Sequence, residues 1–202
     1  MHDDTTALLY YLEMSEFEGD GSPSSGGGLR RGRVGGISSG QMADMLSEPT
    51  GLLVDTECGP IRLRLRRDAA PVTCTHICRL VGAGLYDGCK FYRSDFVIQC
   101  GLHGTAKRNP HGDLPVNETA TGARVSNTRG TCAVAHFDVP DNGSSEWFIN
   151  LGANAHLDSA YGGYCVFAEV ADDASFATVD AIAELVPTGR EPVIRSITGT
   201  TS

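Results

Sequence analysis

The sequence predicts a mainly β domain built as a closed antiparallel barrel with two helices, preceded by a flexible extension of fifty residues. Three observations carry this. Short apolar runs rich in β-branched and aromatic residues recur along positions 51–202 and are separated by Gly, Pro and Asp. Only two stretches there have helical length and spacing. The texture also breaks near Thr50-Gly51, before which Gly and Ser dominate. Many short strands with few helices favour closure, because a closed barrel leaves no unpaired edge to recruit other chains.

The elements follow in chain order. Gly19–Gly40 carries Arg30-Arg31-Gly32-Arg33 and almost no apolar side chains, so it cannot bury enough surface to offset its ordering entropy. On either side, Thr5–Met14 reads as about two to three helical turns and Gln41–Leu46 as about one more, both marginal alone. Their apolar residues suit a segment that docks on the domain or on a partner. Leu52–Val54 and Ile61–Leu65 form a hairpin around Cys58-Gly59-Pro60. Asp68 precedes a first helix with Pro71 in its opening turn and Thr75–Val81 as its body. Further strands are expected at Phe91–Arg93, Val97–Cys100, Thr131–His136, Trp147–Asn150, Cys165–Val170 and Val193–Ile197. A second helix, Phe176–Leu185, ends before Pro187. The domains are therefore drawn as 1–50 and 51–202.

Composition narrows the function classes. The net charge of −9 divides into eight acids against three arginines in residues 1–50 and seventeen acids against thirteen bases beyond. No broad basic field exists, which argues against nucleic acid as a partner. Seven cysteines without a CxxC pair read as mostly buried thiols in a reducing compartment. The acidic Met1–Asp20 suits neither a transit peptide nor a basic secretory leader, and Ala7–Leu12 is too short to span a membrane. A cytoplasmic or nuclear protein with no membrane partner is expected. Cys74 and Cys78 one turn apart, with His103, His111 and His136 scattered, lack zinc spacing, so no metal and no cofactor are expected. Gly26–Gly36 lacks the Lys-Ser/Thr of a phosphate loop. Asp138, Asp141 and Asp158 read as turn residues rather than calcium ligands.

The stretch Phe91–Gly101 places Arg93 ahead of an apolar run ending in Gln99, and Trp147-Phe148-Ile149-Asn150 follows after a Gly- and Asp-rich connection. An arginine held beside aromatic rings is a donor in a pocket of low dielectric, where it acts more strongly than in water. With Ala70-Pro71-Val72-Thr73, Gly84-Leu85-Tyr86-Asp87-Gly88, Val116-Asn117-Glu118, Asn127–Thr131, Ser145–Asn150, Leu157-Asp158 and Tyr164–Phe167, this stretch resembles the cyclophilin family of peptidyl-prolyl cis-trans isomerases from Gly51 to Ile197. The resemblance implies eight strands with a helix capping each open end, and proline-containing proteins or peptides as substrates. It casts Arg93 as the catalytic donor and Gln99 as the residue that orients it and holds the substrate backbone. Phe96, Val97, Phe148 and Leu157 would form the proline socket. Ala135 and His136 would meet the backbone preceding proline, Glu146 would stand beside the substrate, and His156 and Tyr164 would sit at the rim.

Several positions depart from the family pattern. Tyr92 stands where His commonly precedes the arginine, and Ser94-Asp95 makes the Arg93–Phe96 connection about two residues shorter than usual. Glu146 replaces glutamine, Trp147 replaces phenylalanine, and His156 replaces a bulky rim aromatic. Glu146 is placed either to anchor Arg93 by pairing with it or to hold it away from substrate. Loss of the rim aromatic implies weak cyclosporin binding. The expected activity is rotation of Xaa-Pro bonds. The alternative is a weakly catalytic proline-peptide binding or scaffold module, tethered within a larger protein assembly through residues 1–50.

Overall fold

A computed structural model describes residues 48–121 and 124–201. The helices expected at Thr5–Met14 and Gln41–Leu46, and the Gly19–Gly40 run, lie outside the described residues. Eight strands form one antiparallel sheet: β1 Gly51–Thr56, β2 Gly59–Leu65, β3 Phe91–Ser94, β4 Val97–Cys100, β5 Thr131–Val134, β6 Trp147–Asn150, β7 Val166–Val170 and β8 Ile194–Thr200. Their order is β3-β4-β6-β5-β7-β2-β1-β8, with helices α1 Pro71–Gly82 and α2 Asp173–Leu185 packed against them. Just ahead of the end strands β3 and β8, Lys90 and Val193 form an isolated bridge, flanked by bonds from Phe91 N to Pro192 O (3.0 Å) and Ile194 N to Cys89 O (2.7 Å).

The strand registers follow the pleat. In β2 the apolar Ile61, Leu63 and Leu65 point inward, while Pro60, Arg62 and Arg64 stay exposed. The core is centred on Trp147, whose ring meets Tyr86, Phe91 and Phe167 edge-on at 6.2–6.3 Å. Ile77 and Leu80 of α1 and Val179 and Ile182 of α2 complete it. All seven cysteines are free and five are buried. Burial pushes the Cys74 thiol up to about 12 and Cys165 up to about 11, so both are unreactive core residues.

Differences from the sequence reading have local causes. The strand expected at Thr131–His136 ends at Val134, after which Ala135 keeps one bond, from its N–H to Glu146 O at 2.8 Å. The second helix begins three residues earlier than expected because Asp172 caps it, its carboxylate accepting from Ser175 N at 2.8 Å. Asp68 precedes α1 as expected and pairs with the Arg66 guanidinium at 2.7 Å, while the cap position is Ala70. The α1 N-terminus is satisfied from 45 residues away, where buried Glu118 accepts from Val72 N (3.0 Å), Thr73 N (2.7 Å) and the Thr73 hydroxyl (2.7 Å).

Candidate active site

The β3–β4 hairpin is joined by only Asp95 and Phe96, with Arg93 registered opposite Gln99 and Ser94 opposite Ile98. Asp95 makes so short a connection workable. Its Oδ1 accepts from Val97 N at 3.1 Å, while Oδ2 accepts from Arg93 Nε at 2.9 Å and Nη2 at 2.7 Å. The Phe96 carbonyl is fixed in turn by Leu151 N and Asn154 Nδ2, both at 3.0 Å. Arg93 Nη1 donates to Gln99 Oε1 at 3.0 Å, and its guanidinium carbon lies 5.3 Å from the Phe96 ring centroid. Three of its five N–H groups are thus engaged. One on each terminal nitrogen remains without a bond to the described residues.

Glu146 neither pairs with Arg93 nor blocks it. Its Oε2 accepts from the Tyr92 hydroxyl at 2.6 Å, and its Oε1 accepts from His103 N at 3.0 Å. Tyr92 Oη accepts from Gln99 Nε2 at 2.7 Å. Glu146 therefore reaches the arginine only through two intervening side chains.

Beside this polar row lies a small apolar cluster separate from the main core. It comprises Val97, Ala133, Ala135, Phe148, Leu157 and Val166, with Val125 and Tyr164 packed against it. β4, β5, β6 and β7 contribute five of the six buried members or their immediate neighbour, and Leu157 comes from the short helix Ala155–Asp158. Phe96 stands at the edge of this group, 40% exposed, with its ring edge-on to exposed His156 at 5.3 Å. Tyr164 stacks on His136 at 4.2 Å and meets Phe148 at 5.7 Å. His136 is buried, and its ring nitrogens face the Phe137 carbonyl (2.5 Å) and the Gly163 carbonyl (3.0 Å). It braces the rim from within.

Three asparagines and an aspartate set the height of that rim. Asn150 Nδ2 donates to Asn127 Oδ1 and Thr131 Oγ1, and Asn154 Nδ2 donates to Asn150 Oδ1 at 2.8 Å. Asp158 accepts from Asn127 N at 2.7 Å and Asn127 Nδ2 at 2.9 Å, and also from the Ser126 hydroxyl. Each buried amide has its partners, and the loop bearing His156 and Leu157 is tied through them to β6 and to the β3–β4 turn. Sequence reasoning did not find Asp95, Asn127, Asn150 or Asn154 as site supports. Their only signal was polar residues inside or beside apolar runs. A cavity of about 190 Å³ is lined by Val125, Tyr164 and Val166 of the cluster together with Glu118, Ser126 and Asp158, not by Arg93 or Phe148. Among the described residues no three His, Cys, Asp or Glu are grouped to hold a metal, and no helix is long and apolar enough to cross a membrane.

Comparison with known proteins converges on one family. The model of the cyclophilin type peptidyl-prolyl cis-trans isomerase/CLD family matches residues 52–200. Peptidyl-prolyl cis-trans isomerase A of Dickeya dadantii is 35% identical over 126 residues, which is 60% of this chain and 65% of that protein. The peptidyl-prolyl cis-trans isomerase of Acinetobacter baylyi is 32% identical over 157 residues, covering 75% of this chain and 78% of that one. A crystal structure of a Cryptosporidium parvum cyclophilin type peptidyl-prolyl cis-trans isomerase matches with a TM-score of 0.60 at 20% identity, over 77% of this chain and 99% of that chain. A structure of the same protein in the presence of the dipeptide Ala-Pro matches with a TM-score of 0.59 at 20% identity, over 75% and 99%.

Proposed function

This chain belongs to the cyclophilin-type peptidyl-prolyl cis-trans isomerase family, and we propose that it accelerates Xaa-Pro rotation in protein substrates by a hydrogen bond from Arg93 to the proline nitrogen. The observation that carries this reading is the pinned guanidinium, two N–H groups in reserve, standing at the edge of an apolar cluster. Amide resonance raises the rotational barrier to about 20 kcal/mol. As the bond twists, the nitrogen lone pair leaves resonance and becomes a better acceptor. A donor fixed beforehand then binds the twisted state more tightly than either planar isomer. Val97, Phe148 and Leu157 hold the proline ring, with Phe96 at its edge, and Gln99 orients Arg93. Ala135 flanks the substrate backbone, Glu146 stands behind the site through Tyr92, and Tyr164 closes the rim over His136. The Ala-Pro dipeptide of the Cryptosporidium structure fits proline-containing peptides as the substrate class. Isomerisation of Xaa-Pro peptides by the full chain, compared with Arg93→Ala, tests the reading, and unchanged turnover in the variant refutes it.

We also read the sheet as a closed barrel, supported by the Lys90↔Val193 bridge beside its end strands. At the rim, exposed His156 offers less apolar edge than a large aromatic would. Weak cyclosporin inhibition follows, with His156→Trp expected to raise drug affinity more than it changes peptide turnover. Nanomolar inhibition of the unmodified protein would sink this.

Residues 1–50 are proposed to recruit the domain to a larger assembly through Leu8, Leu9, Tyr10 and Leu12. Glu48–Thr50 are themselves bound to the domain. Arg67 contacts Glu48 at 2.8 Å and the Pro49 carbonyl at 3.1 Å, and Thr50 N donates to Thr200 O at 2.9 Å. Deletion of residues 1–47 should therefore leave melting temperature and isomerase activity nearly unchanged while abolishing co-purification of the partner. A large fall in melting temperature would show that the segment packs on its own domain instead.

A further inference from the structure

The row Glu146–Tyr92–Gln99–Arg93 has a direction. A carboxylate only accepts and a guanidinium only donates, whereas the hydroxyl and the amide between them can do either. With Glu146 at one end, the Tyr92 proton must point to Oε2 (2.6 Å), and its lone pair must then accept from Gln99 Nε2 (2.7 Å). That leaves Gln99 Oε1 facing Arg93 Nη1 at 3.0 Å. Were the amide rotated by half a turn, its NH₂ would meet the guanidinium, donor against donor. Gln99 is 1% exposed, so bulk water cannot repair that mismatch.

We propose that Tyr92 and Glu146 are positioning residues of the isomerase site, fixing the amide orientation of Gln99 and through it the plane of Arg93. The inference deepens the reading of Arg93 as donor and rests on it. A second feature shows that the carboxylate is built in. A methyl group at Gly101 would overlap both carboxylate oxygens of Glu146, so the glycine leaves the space this side chain fills. His103 N holds Oε1 from the opposite side at 3.0 Å, and the His103 ring lies 4.8 Å from that of Tyr92. Tyr92 and Glu146 both stand where the family resemblance expects other residues, His and Gln. A glutamine at 146 can donate as well as accept, and would leave the direction of the row set from the Arg93 end alone.

The test is prolyl-peptide kinetics on the full chain with Tyr92→Phe, Glu146→Gln, the double variant and Arg93→Ala. Tyr92→Phe should lower kcat about tenfold, the equivalent of one hydrogen bond, with KM moved less than about twofold. Glu146→Gln should lose less, and the double variant should lose no more than Tyr92→Phe, because both act through one row. The Gln99 side-chain amide resonances should shift in Tyr92→Phe while the melting temperature stays within about 2 °C. If Tyr92→Phe proves unstable, the near-isosteric Glu146→Gln carries the same kinetic and resonance tests. Parental kcat in Tyr92→Phe, or losses that multiply in the double variant, would overturn the proposal provided Arg93→Ala is inactive. Full activity in Arg93→Ala would instead remove the donor reading beneath it.

Discussion

Arg93→Ala should lower kcat/KM for Xaa-Pro isomerisation by about a hundredfold or more, the loss typical of a single preorganised donor at a developing acceptor. The fall should appear mainly in kcat. On the proposed mechanism the bond from Arg93 strengthens only as the proline nitrogen leaves resonance, so it would contribute little to ground-state binding. Arg93→Lys should fail as well. Asp95 and Gln99 together hold a planar group at Nε, Nη1 and Nη2, and an ammonium on a flexible stem cannot occupy all three positions. Folding should be little affected, because the Arg93 side chain is 29% exposed and its ion pair with Asp95 is near the surface. A coupled or NMR exchange assay alongside thermal melts separates the two effects. Activity within about threefold of the parent in Arg93→Ala would end the mechanism.

That Arg93 and Gln99 face each other, and that Phe148 lies in an apolar cluster close by in the sheet, was legible in the sequence because each sits in a short recognisable motif. The eight strands were legible as apolar runs, since each lies buried on at least one face. What could not be read depends on contacts distant in sequence. Glu146 lies 54 residues from Tyr92, and nothing local distinguishes a carboxylate that meets the arginine from one that meets a tyrosine. The shortened connection looked like a loss of two residues. Its compensation, one Asp95 carboxylate serving a backbone N–H and a guanidinium at once, appears only when the hairpin closes. Asp68 does precede α1, as its type suggests, but only the fold shows that Arg66 holds it while the carboxylate serving the helix start comes from Glu118.

Glu118→Ala should destabilise the domain by about 3 kcal/mol, lowering its melting temperature by roughly 6–12 °C. Glu118 belongs to a recognisable motif, Val116-Asn117-Glu118, whose physical role the sequence did not disclose. The structure supplies one. The α1 N-terminus has no side-chain cap of its own, so its first N–H groups depend on the carboxylate brought in from residue 118. Truncation to alanine leaves the Val72 and Thr73 amides and the Thr73 hydroxyl without that acceptor, two of these groups belonging to a fully buried residue. Glu118→Gln should fall between, since one carbonyl oxygen can still accept while the NH₂ faces a donor. The same segment ties α1 to the rim, because Asn117 Nδ2 and His136 Nε2 both reach the Gly163 carbonyl, at 2.8 and 3.0 Å. Loosening it should nevertheless cost far less in turnover than losing Arg93, provided kinetics are measured well below the melting point. A melting temperature within about 2 °C of the parent in Glu118→Ala would mean that water replaces the carboxylate at the helix start, and the capping role would fall.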